Sequence, residues 1–270
     1  MAPGLRPLTR HLVQSVAAAA VASVLAGCAS TPTETTGSIA SQSTTSPSTS
    51  ARSEAEWRGD IDQLASQYRA NPREAEAAMR YARALRATGQ RTQAVAVLEQ
   101  ASLASPFNKG LLGDYGRALA DVGQYKKALD VFERAHTPED PDWRILSAQG
   151  TALDQLGRHS EAQRYYASAL KITPDEPSVL SNLGLSYALA KDLPKAESTL
   201  RRASESAKAN PRVRQNLALV VGLQGRFEEA EGIARADLPP EEASSNVAYL
   251  KQMLSEAKSG KKLKSIATGS

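Results

Sequence analysis

Residues 112–135 read LGDYGRALADVGQYKKALDVFERA, and this stretch decides the fold. Leu112, Tyr115 and Leu119 recur at positions i, i+3 and i+7, which is the apolar spacing of one helix face. Gly123 follows at the point where a helix ends in a left-handed residue, a conformation that glycine adopts without strain. A second apolar run comes directly after it. The stretch therefore predicts two helices joined by a tight turn.

The same pattern returns every 34 residues along the chain. One column holds glycine in the turn, two hold alanine, and a fourth holds large apolar residues. Their members are Gly89, Gly123 and Gly157; Ala94, Ala128, Ala162, Ala196 and Ala230; Ala101, Ala135, Ala169 and Ala203; and Leu85, Leu119, Leu153, Tyr187 and Val221. Agreement of independent columns over five units indicates a repeat protein, in which each unit packs on its neighbours.

This period and these residues resemble the tetratricopeptide repeat, a helix-turn-helix unit of 34 residues. The resemblance covers residues 75–244 as five repeats: 75–108, 109–142, 143–176, 177–210 and 211–244. Small residues such as Gly184 and Ala196 let the paired helices approach closely, and larger ones such as Tyr166 and Leu200 fill the space to the next repeat. The resemblance implies an all-α solenoid wound as a right-handed superhelix.

Both ends of the array are predicted to be capped, as a solenoid requires. Residues 53–74 read as an N-terminal half-repeat, with Trp57, Ile61, Leu64 and Tyr68 on one helical stripe. A helix starting at Pro239-Pro240 and ending near residue 255 supplies a C-terminal cap, assigned to residues 245–257. The basic residues 258–270 are predicted to be a solvated tail, with contact to anionic lipid as the alternative.

Three residues interrupt the repeat columns. Lys191 stands where the other turns have glycine, so the shape of the fourth turn stays open. Arg214 and Asp237 occupy positions that are apolar in the other repeats. The fifth repeat is therefore predicted to be a degenerate unit at the end of the array.

The N-terminal segment holds the only cysteine of the chain, Cys28. Arg6 and Arg10 give a basic start, and residues 12–27 are almost wholly apolar but fall short of the roughly 20 residues that a spanning helix needs. This order is typical of a secretory signal peptide. Residues 25–28, LAGC, resemble the lipobox of bacterial lipoproteins, in which the cysteine is acylated and becomes the first residue of the mature chain. An uncleaved anchor and a chance match are the alternatives.

We therefore expect residues 1–27 to be a signal peptide and Cys28 to carry the lipid that attaches the chain to a membrane. Several acyl chains keep a protein attached to a membrane for a long time, because each buried methylene contributes about 0.8 kcal/mol to the free energy of binding. Ala29 stands where an aspartate favours retention in the inner membrane, so the resemblance implies the periplasmic face of the outer membrane. Residues 28–52 are rich in serine and threonine, which predicts a disordered tether spanning about 25 Å.

The sequence does not indicate an enzyme. His136 and His159 are predicted to be polar surface residues, and no nucleophile with a base and an orienting group can be assembled. No spacing typical of a metal site or of a cofactor-binding loop is present, so neither is expected. The formal net charge of +4 is small and includes Arg6 and Arg10 of the signal segment, so nucleic acid is not an expected partner. An enzyme with an unrecognised site is the alternative.

Protein binding remains as the expected function. In tetratricopeptide arrays the first helices line a concave groove, and the resemblance assigns to it the following residues of this chain. The early part holds Arg80, Arg83, Arg86, Asp114, Arg117 and Asp121, and the later part holds Asn182, Leu185, Leu189, Asn216, Leu219 and Leu223. Asn182 and Asn216 take the position whose amide, in peptide-binding arrays, bonds a ligand backbone or carboxylate. A peptide with an acidic end and an apolar end fits this gradient.

A closer resemblance joins the lipobox, the tether and the repeats with two tail segments, residues 234–240 (ARADLPP) and 246–250 (NVAYL). Together they are similar to the TadD-type lipoproteins of tight-adherence (Flp) pilus systems. The resemblance implies a scaffold for pilus assembly with the outer-membrane secretin, or another assembly component, as partner. Pilotins of type IV pili and lipoprotein scaffolds of outer-membrane protein assembly share the anchor and the repeats and remain alternatives, as does a cytosolic co-chaperone.

Overall fold

The computed structural model describes residues 53–267 of the chain, and this part is helical. Within it lie twelve helices: α1 (Glu54–Ala70), α2 (Ala75–Ala87), α3 (Arg91–Ala104), α4 (Lys109–Asp121), α5 (Tyr125–Ala135), α6 (Trp143–Gln155), α7 (His159–Ile172), α8 (Pro177–Leu189), α9 (Leu193–Ser204), α10 (Pro211–Leu223), α11 (Phe227–Ala234) and α12 (Pro240–Ala267). No strand occurs in residues 53–267, and a single isolated bridge joins Thr137 and Asp140 between α5 and α6. The predicted all-α fold is confirmed.

The helices form five antiparallel pairs, α2–α3, α4–α5, α6–α7, α8–α9 and α10–α11. Each first helix offers a small residue to its partner helix, and in the middle three pairs this residue is a glycine beneath a large side chain. A methyl group on Gly116 would lie 2.4 Å from the Phe132 ring, and one on Gly184 would lie 2.6 Å from Leu200. The Phe132 and Leu200 side chains are completely buried, and each packs in a cluster of other apolar side chains. The small residues of the repeat therefore set how closely the paired helices approach.

The turn inside each pair has one backbone form. Gly89, Gly123, Gly157 and Gly225 have φ between 74° and 85°, and Lys191 has φ 67° at the equivalent position. The residue after each of them donates its N–H back into the first helix, as Arg158 does to the Leu153 carbonyl at 2.9 Å and Asp192 to the Tyr187 carbonyl at 2.9 Å. The fourth turn therefore has the same shape as the others, with lysine in a conformation that favours glycine.

The two other interruptions of the columns pair with each other. Arg214 on α10 donates two hydrogen bonds to the carboxylate of Asp237, at 2.7 and 2.5 Å. The Asp237 side chain is only 8% exposed. The two departures from the apolar pattern thus compensate one another and join α10 to the segment that leads into α12.

The ends of the array carry single helices. α1 begins at a capping box formed by Ser53 and Glu56, and it packs on α2, where Tyr68 stacks on Tyr81 with ring centroids 5.6 Å apart. At the other end, α12 lies against α10 and α11, with Leu250 over Gly222 and Ala243 fully buried. α12 runs to Ala267, beyond the predicted end near residue 255. The predicted basic tail therefore starts inside this helix.

Candidate peptide-binding groove

The first helices form the inner layer of the array. α2 contacts α4, α4 contacts α6, α6 contacts α8, and α8 contacts α10, whereas in the described part of the chain no second helix contacts the second helix of the next pair. The first helices are therefore closer together than the second helices, which makes their shared face the concave side. We call the inner face of α2 and α4 the early half of the groove and that of α8 and α10 the later half, with α6 between them.

The arginines of the early half are engaged in ion pairs. Arg83 donates from Nε to Asp114 Oδ2 at 2.7 Å, and Arg117 donates from Nη1 to Asp114 Oδ1 at 3.3 Å. Arg86 pairs with Asp121 at 2.5 Å. The contacts of Arg83 and Arg86 link α2 to α4, and Arg83 and Arg117 together use both oxygens of the Asp114 carboxylate, whose side chain is 9% exposed. Arg80, which approaches Glu76 at 4.0 Å, is the most weakly paired of the predicted set.

The electrostatics of Arg117 follow from this crowding. Burial lowers the pKa of the Arg117 guanidinium, the charge of Asp114 raises it, and the neighbouring charges of Arg86 and Arg83 lower it again. A hollow of about 190 Å³ beside it is lined by both signs of charge, Lys109 and Arg117 with Asp140 and Asp142, and Lys109 pairs with Asp140 at 2.9 Å. Opposite charges balance at this end of the groove. It is therefore less suited to an acidic ligand than the arginines alone predict.

The later half is joined by neutral hydrogen bonds. Asn216 on α10 donates from Nδ2 to Ser181 Oγ on α8 at 2.9 Å, and Asn182 on α8 donates from Nδ2 to Ser147 Oγ on α6 at 3.3 Å. Each bond spans 35 residues, so the same contact repeats from one pair to the next. It uses one of the two N–H groups of each amide. Within the described residues, the second N–H and the Oδ1 atom of both asparagines have no hydrogen-bond partner in the protein.

Leucines surround these amides on the same helix faces. Asn182, Leu185 and Leu189 lie at i, i+3 and i+7 on α8, and Asn216 and Leu219 are spaced by three on α10. Leu189 is 54% exposed and Leu219 43% exposed, although both are large apolar residues, and Leu185 is partly exposed. Exposed apolar side chains in a row mark a surface that a partner covers. The later half thus combines amides with apolar surface and carries no charge on these residues.

A buried polar cluster lies between the two halves, at positions that the repeat columns do not predict. The Asp154 carboxylate accepts hydrogen bonds from His159 Nδ1 at 2.8 Å, from Tyr166 Oη at 3.0 Å and from Ser186 Oγ at 2.8 Å. Burial raises the pKa of Tyr166, which keeps its hydroxyl protonated as a donor. The cluster joins α6, α7 and α8 and uses both carboxylate oxygens, so its function is to hold the helices together.

Both histidines were predicted to be polar surface residues, and the structure places both at partly exposed positions, where each bonds a buried side chain. His159 has a side chain only 25% exposed because it bonds the buried Asp154. His136 Nε2 lies 3.1 Å from Oε1 of Gln149, which is 1% exposed. The Nδ1 atom of His136 is buried without a partner. The sequence signal for this contact is a spacing of five residues. Asp154 and His159 stand on either side of a turn, which places them at adjacent ends of the paired helices.

The remaining predicted features concern the membrane and metals. Cys28, the signal segment and the tether lie outside residues 53–267, so their assignments stay predictions. Across the described residues, the helices are too short or too polar to cross a bilayer. The same part of the chain has no group of three histidine, cysteine, aspartate or glutamate side chains arranged to hold a metal ion.

Comparison with known proteins agrees with this architecture. Residues 82–142 and 147–211 match the model of the tetratricopeptide repeat. Two crystal structures superpose well: PilW, a widely conserved type IV pilus biogenesis factor, and TTC0263, a thermophilic tetratricopeptide-repeat protein of Thermus thermophilus. PilW has a TM-score of 0.62 at 17% identity, covering 72% of this chain and 91% of its own. TTC0263 has a TM-score of 0.58 at 22% identity, covering 66% of this chain and 100% of its own.

Among curated proteins, no relative matches the sequence. At these identities the structural likeness shows the fold. The described chain is an all-α solenoid with the fold of tetratricopeptide-repeat proteins.

Proposed function

We propose that this solenoid is a lipid-anchored scaffold at the periplasmic face of the outer membrane that binds a protein partner during assembly of a tight-adherence (Flp) pilus. In this proposal it acts as a pilotin, which delivers or protects the subunits of the secretin. The acylated Cys28 attaches it to the membrane, and the tether of residues 28–52 gives the repeats reach to a nascent subunit.

The observation that carries the proposal is the later half of the groove. Asn182 and Asn216 are held by Ser147 and Ser181 with hydrogen-bonding groups to spare, and Leu189 and Leu219 stay exposed beside them. A surface that is fixed before binding loses little conformational entropy when it takes up an extended segment. The groove is therefore suited to hold a peptide segment of another protein.

The assignment to the Flp system is supported by the sequence features, namely the lipobox, the tether and residues 234–250. Asp237 in that segment is tied to Arg214, so this part of the tail is fixed onto the last repeat. A second candidate is a type IV pilus pilotin. The shared fold with PilW, a type IV pilus biogenesis factor, favours that candidate.

The test is affinity capture from detergent-solubilised envelope with the tagged full chain as bait. We expect the secretin of the Flp system to be recovered, and a clean deletion to remove secretin multimers and pilus-dependent adherence. Cys28→Ala should give the same adherence defect with an intact groove. This variant separates location from recognition.

Other outcomes decide between the alternatives. Capture of a type IV pilus secretin supports the second candidate, and capture of outer-membrane protein assembly factors supports a scaffold of that system. Unprocessed full-length protein in the cytoplasm points to a co-chaperone. Normal secretin multimers and normal piliation in the deletion strain contradict the pilotin proposal.

A further inference from the structure

We infer that residues 249–267, the distal segment of α12, lie as an amphipathic helix on an anionic lipid surface. The apolar stripe of this segment faces the boundary of the hydrocarbon, and its lysines lie among the headgroups. This contact is separate from the groove, and it requires neither the pilus partner nor the lipid on Cys28.

The two sides of α12 differ in what covers them. Val247, Leu250 and Leu254 follow the face that packs on α10 and α11, and all three are partly buried. On another face, Tyr249 is 65% exposed and Met253 is 51% exposed, four residues apart and thus one above the other. Two large, mainly apolar side chains side by side on an uncovered face indicate a contact surface.

The sequence continues this stripe towards the end of the helix. Leu263 comes 14 residues after Tyr249, a spacing that returns to the same helix face, and Ile266 follows one turn later. Glu256 is the only acidic residue after position 242, and its Oε1 atom accepts a hydrogen bond from Gln252 Nε2 at 2.9 Å. The stripe is therefore apolar apart from one carboxylate.

The rest of the distal segment is basic. Residues 257–270 include no aspartate or glutamate and four lysines: Lys258, Lys261, Lys262 and Lys264. At about 100° per residue, these four positions fall outside the stripe of Tyr249 and Leu263. An apolar stripe bordered by lysines is typical of helices that lie in a membrane interface. Four or more basic residues on such a helix favour anionic lipids.

The distal segment also extends past the packed part of α12. Leu254 is the last partly buried side chain that the structure describes on this helix, and α12 continues for thirteen residues to Ala267, about 20 Å. Among the described helices, α12 contacts α10 and α11 alone. Helical segments of this length are marginal in water unless an apolar face is covered. A surface that covers the stripe therefore stabilises the segment.

A lipid surface suits this composition better than other anionic partners. Nucleic acid would pair with the lysines, but its phosphates would leave the apolar stripe in water. At a bilayer, the lysine stems extend along apolar surface while their ammonium groups reach the headgroups. Tyrosine is enriched at the same depth, because its ring is apolar and its hydroxyl stays hydrated. Both features of the segment are thus satisfied by one surface.

The experiment places an environment-sensitive NBD fluorophore on Met253→Cys in the full chain, with Cys28→Ser so that the label has a single site. The chain is reconstituted into vesicles of phosphatidylcholine alone, or with about one third phosphatidylglycerol. Residues 12–27 are present in both samples, so their contribution to vesicle attachment is the same. We expect emission about twofold higher or more, at shorter wavelength, in the anionic vesicles. About 0.5 M salt should reverse this rise.

Matched variants locate the contact. One variant replaces the four lysines of the distal segment by glutamine, and it should lose the rise. A second variant makes the same change in net charge at four exposed lysines of the array: Lys126→Gln, Lys127→Gln, Lys171→Gln and Lys208→Gln. It should keep the rise. NBD on Leu103→Cys, on α3 where the side chain is 80% exposed, should give the same emission in both vesicles.

An equal rise in neutral vesicles, or a rise that survives without the four distal lysines, overturns the inference. So does a rise in detergent that depends on protein concentration, because the stripe would then join two copies of the chain. An equal rise on adding an oligonucleotide in place of lipid also overturns it. The proposed function is decided separately by capture from the envelope.

Discussion

The early and later halves of the groove have the same helix pairs and the same turns, but different interactions hold their neighbouring helices together. In the early half Asp114 takes two arginines, from α2 and from α4, and both of its oxygens are used. In the later half an amide bonds a serine hydroxyl and keeps hydrogen-bonding groups free. A repeat can therefore be joined to its neighbour in a way that closes its inner face to ligands or in a way that leaves it receptive.

The largest expected effect comes from breaking the early half at its acceptor. Asp114→Asn leaves Arg83 and Arg117 without their carboxylate, and Arg117 is largely buried. Removing one partner of a buried ion pair costs about 3–5 kcal/mol, and partial exposure of both arginines reduces this to about 2–4 kcal/mol. Urea unfolding followed by circular dichroism measures the loss.

The control for this change is Asp121→Asn, which breaks the pair of Arg86 with an aspartate whose side chain is 31% exposed, against 9% for Asp114. We expect less than about 1 kcal/mol from it, because exposed pairs contribute little. Equal losses from both substitutions would mean that burial of Asp114 does not matter. Peptide binding in the later half should survive in Asp114→Asn at temperatures where the variant is folded.

The second prediction concerns an acid-sensitive link in the outer layer of the later half. Burial alone would raise the pKa of the Glu197 carboxyl, but hydrogen bonds from Gln224, Arg201 and Arg226 outweigh it and lower the pKa to about 2. The carboxylate thus stabilises the fold above pH 4.5, and this contribution is lost as the pH falls from about 4.5 towards 2. Glu197→Gln should cost about 1–2 kcal/mol at pH 7.

The measurement is the free energy of unfolding as a function of pH. The curves of wild type and Glu197→Gln should converge as the pH falls, because protonation removes the same charge that the substitution removes. Glu205→Gln, at an exposed glutamate that caps the end of α9, is the control and should run parallel to wild type. A constant gap between wild type and Glu197→Gln down to about pH 2 contradicts the prediction.

In both halves the sequence predicts the helices and the inner-face positions but not the contacts between neighbouring helices. Helix pairs, turns and the inner-face positions follow from columns of period 34, since packing and turn geometry impose the same residue type in every repeat. The pairing of Arg83 with Asp114 or of Asn216 with Ser181 joins different columns, and each pair occurs in only part of the array. Periodicity alone therefore identified the groove residues without their partners.

The departures from the columns show the same limit. Arg214 and Asp237 each read as a defect, because the compensation lies in their contact across 23 residues. Lys191 left the shape of the fourth turn undecided. A lysine can take a right-handed or a left-handed backbone conformation, and only the surrounding hydrogen bonds select one. The end of α12 was also predicted too early. No glycine or proline follows residue 255 before Gly260, so the sequence holds no stop signal at the predicted end and the helix continues.

The third prediction weakens the later half in a way that matches the first. Ser181→Ala removes the acceptor of the Asn216 amide, and a neutral hydrogen bond contributes about 1 kcal/mol. We expect a loss of about 1 kcal/mol in the free energy of unfolding and a few-fold weaker peptide binding, because Asn216 is no longer held in place. Ser178→Ala, an exposed serine one turn earlier on α8, is the control. Unchanged binding in Ser181→Ala would mean that the amide does not need this support.

The smallest effect is expected at the fourth turn, which joins α8 to α9. Lys191 has φ 67°, and a side chain in this left-handed region costs roughly 1–2 kcal/mol relative to the right-handed one. Glycine removes this cost but gives the unfolded chain more conformational freedom, which returns about 0.5–1 kcal/mol. Lys191→Gly should therefore stabilise the fold by about 0.5–1 kcal/mol, seen as a higher urea midpoint with an unchanged slope. Gly157→Ala, at φ 74° in the third turn, should move the midpoint the other way by a similar amount. Peptide affinity should stay the same in Lys191→Gly, since the turn keeps its shape and the inner face of α8 does not move. A loss of stability in Lys191→Gly would instead mean that lysine makes a contact at the turn worth more than its backbone strain.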